Sequence, residues 1–222
     1  MKTTIIYDNE TSRKDLTPDW GFACLVETHG RTILFDTGAR GGILLDNMKT
    51  LNIDPKLIEI VVISHAHWDH TGGLADFLKE NRNVTLYIPS SYDISPDSAI
   101  EIIVVKQPTR ICEGVFSTGV IKGVEKVPYG DEIEQSLVVN TDSGQVVIAG
   151  CSHPGVDKIL KAASIYGEIY SLIGGLHGFN KFDLLEGIDL VCATHCTQFK
   201  AKIKSLYPDA YIEGGAGRII EI

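Results

Sequence analysis

The chain has 222 residues, 44% of them hydrophobic and 22% charged, with a formal net charge of -9 at neutral pH. That length supports one well-cored domain over residues 1–222, and the composition is that of a soluble globular protein. The acidic balance removes any whole-protein attraction for nucleic acid or an anionic membrane, and no apolar run is long enough for a signal peptide or a bilayer span, so a cytoplasmic protein acting on a small molecule is expected.

The five cysteines (Cys24, Cys112, Cys151, Cys192, Cys196) are an odd number without the spacing of a disulfide framework. They read as reduced thiols. Cys192 and Cys196 lack the second pair that a structural zinc site requires and read as core thiols.

Residues 2–7 read as a strand and residues 8–19 as a polar loop. Two further strands, 22–27 and 32–35, are joined through His29-Gly30-Arg31, a hairpin by its turn chemistry, which leaves His29 in solvent. The second strand ends in Asp36-Thr37-Gly38. A helix follows over 42–51, with Ile43, Leu44 and Met48 on its apolar side, and Asp54-Pro55 turns the chain.

The next stretch carries the chemistry. An apolar strand, Ile60-Val61-Val62-Ile63, stops at Ser64, and three histidines and one aspartate follow: His65, His67, Asp69 and His70, then Thr71-Gly72-Gly73. In extended backbone, side chains two positions apart point the same way, so His65 and His67 can close on one cation. Asp69 and His70 fall where the chain turns into a helix over 69–80 and face a neighbouring position, so one loop can serve two metals. Imidazole nitrogen and carboxylate oxygen suit zinc, and also iron or manganese.

Beyond this loop come a strand over 84–88, a loop over 89–96 and alternating runs to Val147, read as a second sheet plus a surface flap over 89–131. Residues 136–140 and 145–148 pair across a turn. Then strand, small residues, histidine and helix recur in Ile148-Ala149-Gly150-Cys151-Ser152-His153-Pro154-Gly155. Strand 169–173 ends in Gly174-Gly175-Leu176-His177, and strand 190–193 ends in Thr194-His195-Cys196-Thr197. A helix over 199–207 precedes a terminal strand. Six of the seven histidines thus lie just past strand ends, which gather at one edge in layered α/β folds.

His65-x-His67-x-Asp69-His70 followed by Thr71-Gly72-Gly73, with Asp36-x-Gly38, His153 and His195, resembles the signature of the metallo-β-lactamase fold superfamily. The resemblance implies an α/β (α+β) four-layer αββα sandwich with a binuclear metal site, most simply two zinc ions. By motif position it puts His65, His67 and His153 on one metal and Asp69, His70 and His195 on the other. It gives Asp36 the task of orienting a ligand histidine through the free ring N–H. The Gly150 to Gly155, Gly174 to His177 and Thr194 to Thr197 stretches resemble a branch that includes a dihydropterin-ribofuranosylaminobenzene phosphate synthase.

One position departs from the pattern. Many binuclear members place a bridging aspartate after the strand that follows the His153 helix, where this chain has Gly-Gly-Leu-His177. His177 is then a ligand to one metal or a substrate-binding group, and the lost negative charge favours a weaker second metal site and anionic, phosphate-bearing substrates.

Zinc lowers the pKa of bound water toward about 7 and polarises carbonyl or phosphoryl oxygen, so no protein nucleophile is needed. Asp69 and His177 are the candidate catalytic residues. Cys151 and Cys196 flank ligand histidines and read as small-residue packing. The expected function is a metal-dependent hydrolase; the alternatives are pterin-type synthase or lyase chemistry on the same site, and a non-catalytic metal- or ligand-binding protein.

Overall fold

The structure, a computed structural model, describes residues 1–94, 100–127 and 130–222. The strands in chain order are β1 (Lys2–Tyr7), β2 (Ala23–Thr28), β3 (Arg31–Phe35), β4 (Ile60–Val62), β5 (Thr85–Pro89), β6 (Glu101–Val105), β7 (Thr109–Cys112), β8 (Val115–Ser117), β9 (Ile121–Val127), β10 (Gly130–Glu134), β11 (Leu137–Thr141), β12 (Gly144–Ala149), β13 (Ile169–Gly175), β14 (Leu190–Thr194) and β15 (Ile219–Glu221). The α-helices are α1 (Gly41–Thr50), α2 (Trp68–Thr71), α3 (Leu74–Glu80), α4 (Val156–Ala163) and α5 (Lys200–Leu206).

Two large sheets form, with strand orders β15-β1-β2-β3-β4-β5-β6 and β14-β13-β12-β11-β8-β7. Their strands are apolar on both faces, and the period of two sends alternate residues to different cores. Cys24, Val26, Ile33, Phe35 and Val62 of the first sheet meet Val139, Val146, Ile148 and Ile173 of the second. The residues between them in sequence point outward. Leu25, Leu34 and Val61 pack with Leu44 and Met48 of α1 and Phe77 of α3, while Val138, Val147 and Leu172 pack with Ile159 of α4 and Ile203 of α5. Helix, sheet, sheet and helix therefore stack in four layers, as the sequence implied.

Three details differ from the sequence reading. The helix expected over 69–80 is two helices, α2 and α3, broken at Gly72-Gly73. A Cβ on either glycine would run into Ala39 O or Thr37 O, so the chain turns where backbone meets backbone. Strand β6, read as part of the second sheet, instead extends the edge of the first, parallel to β5. Of the expected flap over 89–131, β9 and β10 form a separate two-stranded sheet, while residues 95–99 and 128–129 lie outside the described residues.

Parallel pairing of β3 with β4, of β12 with β13 and of β13 with β14 sets several strand C-terminal ends side by side. The loops that leave them carry every candidate ligand. Among the described residues no helix is long and apolar enough to cross a membrane.

Candidate metal centre

Four non-glycine residues just past these strand ends hold positive φ: Asp36 (58°), Ser152 (64°), His177 (44°) and His195 (47°). Left-handed backbone costs a side-chain-bearing residue energy unless the surroundings impose it, and it concentrates at functional sites. Around Asp36, Ser152 and His195 the surroundings are three buried carboxylates. Asp36 Oδ1 accepts from Ser64 N at 2.7 Å, at the head of the His65 loop. Asp8 Oδ1 accepts from His195 N at 3.0 Å. Glu134 takes four backbone N–H groups of the His153 loop: Gly150, Cys151 and Ser152 on Oε1 at 3.1, 2.9 and 3.0 Å, and His153 on Oε2 at 2.9 Å. All three acids are essentially inaccessible to solvent. Burial pushes Glu134 up and lifts Asp8 to about 6.

The same network fixes which ring nitrogens carry protons. His70 Nδ1 lies 2.7 Å from Asp36 Oδ2, an acceptor, so Nδ1 is the N–H and Nε2 is bare. Ser64 Oγ gives its proton to Asp36 Oδ2 at 2.7 Å and therefore accepts from His65 Nδ1 at 2.8 Å, which leaves His65 Nε2 bare. Asn9 Oδ1 accepts from Gly21 N, which fixes its amide orientation, so His195 Nδ1 donates to it at 2.9 Å and His195 Nε2 is bare. Three imidazoles thus turn lone pairs inward.

They converge in two groups. His65, His67 and His153 bring one donor atom each within 4.8 Å of one another, and so do Asp69, His70 and His195. Within the first group His65 Nε2 stands 3.2 Å from His67 Nδ1. Within the second, His195 Nε2 stands 3.2 Å from Asp69 Oδ2 with no hydrogen bond between them. The first contact is a hydrogen bond into the bare His65 Nε2, whereas His195 Nε2 against the Asp69 oxygen sets lone pair against lone pair, which is repulsive until a cation sits between; ~3.3 Å is the donor spacing of a tetrahedron with zinc-like bonds of 2.0–2.1 Å. The residues fit a metal.

The electrostatics agree with that fit. Burial, then the neighbouring imidazoles, depress His65 well below its ordinary value and bring His153 to about 3, so both rings are neutral, the state a metal needs. Burial would raise Asp69, but the His195 and His70 rings beside it win and hold it below the carboxylate range. For His70, burial is outweighed by the charge and hydrogen bond of Asp36, and its value rises.

His177 stands apart from both donor groups. Its ring centroid lies 5.1 Å from that of His153, and it is exposed on the wall of a cleft of about 610 Å³ that also touches Phe179, Asn180, Lys158 and Lys181. The two glycines before it are sterically required: a Cβ at Gly175 would meet Gly150 O and Cys196 Sγ, and one at Gly174 would meet Ala149 O, so neither of these positions carries a side chain.

Sequence reading missed several contributors. Trp20 Nε1 donates to Asp69 Oδ2 at 2.8 Å, and its ring sits edge-on to His195 at 5.2 Å. Asp8 and Asn9 passed as polar loop residues, and Glu134 carried no local signal. Cys151 Sγ, read as packing, lies 3.2 Å from His70 Nε2.

Known proteins resemble this chain in sequence and fold. Residues 16–162 match the family model described as the metallo-beta-lactamase superfamily. The chain is 30% identical, over 82% of its length and 81% of the relative's, to the 7,8-dihydropterin-6-methyl-4-(beta-D-ribofuranosyl)-aminobenzene-5'-phosphate synthase of Methanocaldococcus jannaschii. Among solved structures, a metal-dependent hydrolase of the beta-lactamase superfamily superposes with a TM-score of 0.77 at 26% identity, covering 100% of this chain and 99% of that one. The metallo-beta-lactamase fold protein YhfI of Bacillus subtilis gives 0.72 at 14%, over 100% and 99%, a likeness of fold. With the family model covering most of the chain and the layered fold in agreement, the chain belongs to the metallo-beta-lactamase superfamily.

Proposed function

We propose that this protein is a two-metal enzyme, a metal-dependent hydrolase of a small anionic, phosphate-bearing molecule, folded as one domain over 1–222 and working in the cytoplasm. His65, His67 and His153 hold one ion and Asp69, His70 and His195 the other, most simply zinc. The observation that carries this reading is the pair of inward-facing donor triads whose bare nitrogens are set by Asp36, Ser64 and Asn9. An intact donor set of this kind argues against a ligand-binding protein without catalysis.

Bound divalent metal supplies a Lewis acid and an activated water. The chain's own residues do the rest. Asp69, held by the Trp20 N–H, offers one oxygen to the metal side and orients water with its carboxylate. Trp20 covers His195 and limits solvent on that flank. His177 and Asn180 present hydrogen-bonding groups in the cleft that opens beside His153, and Lys158 and Lys181 add positive charge, with Asp157 balancing Lys181 in part. A phosphate suits that wall.

A second reading has its own support. The Methanocaldococcus jannaschii relative is named as a synthase of a 5'-phosphate compound, so synthase or lyase chemistry on a pterin-type substrate fits the same cleft. Assaying metal-reconstituted protein against phosphodiesters, lactones and thioesters, with and without chelator, tests the hydrolase reading. Chelator-sensitive turnover of at least one class supports it. Turnover only when a pterin and a phosphoribosyl aryl amine are supplied together moves the second reading to the front.

A further inference from the structure

We infer that Cys151 is a metal ligand, its thiolate shared between the two ions. The inference rests on the two-metal reading above. Cys151 Sγ clusters with His65 and His70, and in a separate grouping with His195 and Cys196, all within 4.8 Å. It therefore lies within reach of a donor from the first triad, His65, and of two from the second, His70 and His195. Among the described residues, Cys151 is the one side chain outside the two triads that groups with donors of both.

The contact with His70 is a hydrogen bond from the Cys151 thiol to the bare ring nitrogen, so both lone-pair atoms already face one point and replacing the proton by an ion needs only a small opening of the pair. The separation is 3.2 Å, and His70 Nε2 is bare because its Nδ1–H is held by Asp36. An independent feature points to the same place. His195 Nε2 is buried and makes no hydrogen bond, and it shares the second grouping with Cys151.

Charge supplies the chemical reason. Two divalent ions bound by the six donors would meet one negative charge, that of Asp69. Asp36 and Glu134 are nearby but spend their oxygens on Ser64, His70 and the 150–153 backbone. Neither Gly174 nor Gly175 has room for an acid. A thiolate is the remaining anionic donor, and sulfur suits zinc and cobalt. On metal binding the S–H proton passes to solvent and the sulfur lone pairs bond the ions, with no change of oxidation state. The backbone is built for it: Glu134 holds Cys151 N at 2.9 Å, which fixes the Cα from which Sγ projects.

The test is cobalt loading of the full chain. Wild type with cobalt is expected to show a sulfur-to-cobalt charge-transfer band in the near ultraviolet, lost in Cys151→Ser and kept in Cys196→Ser. Cys151→Ser should also weaken the second binding step by about tenfold or more, the loss expected even for a ligand's outer partner. Zinc-edge X-ray absorption on wild type serves where the variant misfolds, with a sulfur shell expected at about 2.3 Å. Two ions bound with no sulfur shell and no band overturns the inference and leaves the two-metal reading standing. A band that disappears in Cys196→Ser alone also overturns it. Failure to bind cobalt or zinc at all removes both.

Discussion

Asp36 Oδ2 accepts from His70 Nδ1 at 2.7 Å and, at the same distance, from the Ser64 hydroxyl that in turn orients His65. One buried oxygen therefore sets the tautomer of a histidine in each triad. This predicts that Asp36→Asn weakens both metal-binding steps, by about 10- to 100-fold each, the range found for groups that orient ligands. Asparagine tolerates the positive φ at this position, so the fold survives. Competition with a chromophoric chelator reads both steps; a loss at one step only contradicts the shared-oxygen account.

Glu134 makes a different prediction, about stability. Glu134→Gln keeps an oxygen for part of the 150–153 loop but turns an amide N–H toward a backbone N–H. Hydrogen bonds to a charged group contribute about 1.5–3 kcal/mol each, so the variant should lose roughly that much in urea unfolding of the metal-free protein. An unchanged midpoint would mean that the loop holds its shape without the acid.

Acid should destabilise the metal-free protein through its histidines. Folded, His153 takes a proton at about 3, and His65 well below its ordinary 6.5. Between those values the unfolded chain binds more protons than the folded one, so stability is full above about 6.5 and falls as pH drops toward about 3. His70, raised by Asp36, acts oppositely: its contribution is present below 6.5 and lost as pH rises through its folded value. The thermal midpoint should therefore fall between about pH 7 and about pH 5, and His153→Asn should flatten that slope. A slope unaltered by the substitution would assign the acid sensitivity to other groups.

His177 lies on the cleft wall outside both triads, so His177→Ala should leave metal content at the wild-type level while raising KM for a phosphate-bearing substrate. A fall in metal content would make it a ligand instead.

Much of this site was legible in the sequence, for a physical reason. A metal-holding loop needs fixed residue types at fixed spacing, so His65, His67, Asp69 and His70 stand out as candidate ligands, and small residues around His153 and His195 mark strand ends. The groups that position those ligands act through single long-range hydrogen bonds. Glu134 reaches Cys151 across 17 positions and Asp8 reaches His195 across 187, and neither leaves a local pattern. The four-layer fold was readable through the motifs that carry the family resemblance, and strands apolar on both faces agree with it because each face needs cover. Gly72-Gly73 was legible as a tight turn, but the helical spacing on either side of it read as one helix; the close approach of Thr37 and Ala39 carbonyls, which makes both positions glycine, comes from 33–36 positions away.

Metal stoichiometry distinguishes two donor triads from one. Elemental mass spectrometry on protein purified without chelator, then reconstituted with zinc and desalted, should count about two ions per chain. His153→Ala and His195→Ala should each lose one. A single ion in wild type, lost equally in both variants, would contradict the two-triad reading, and none after reconstitution would contradict the metal centre itself.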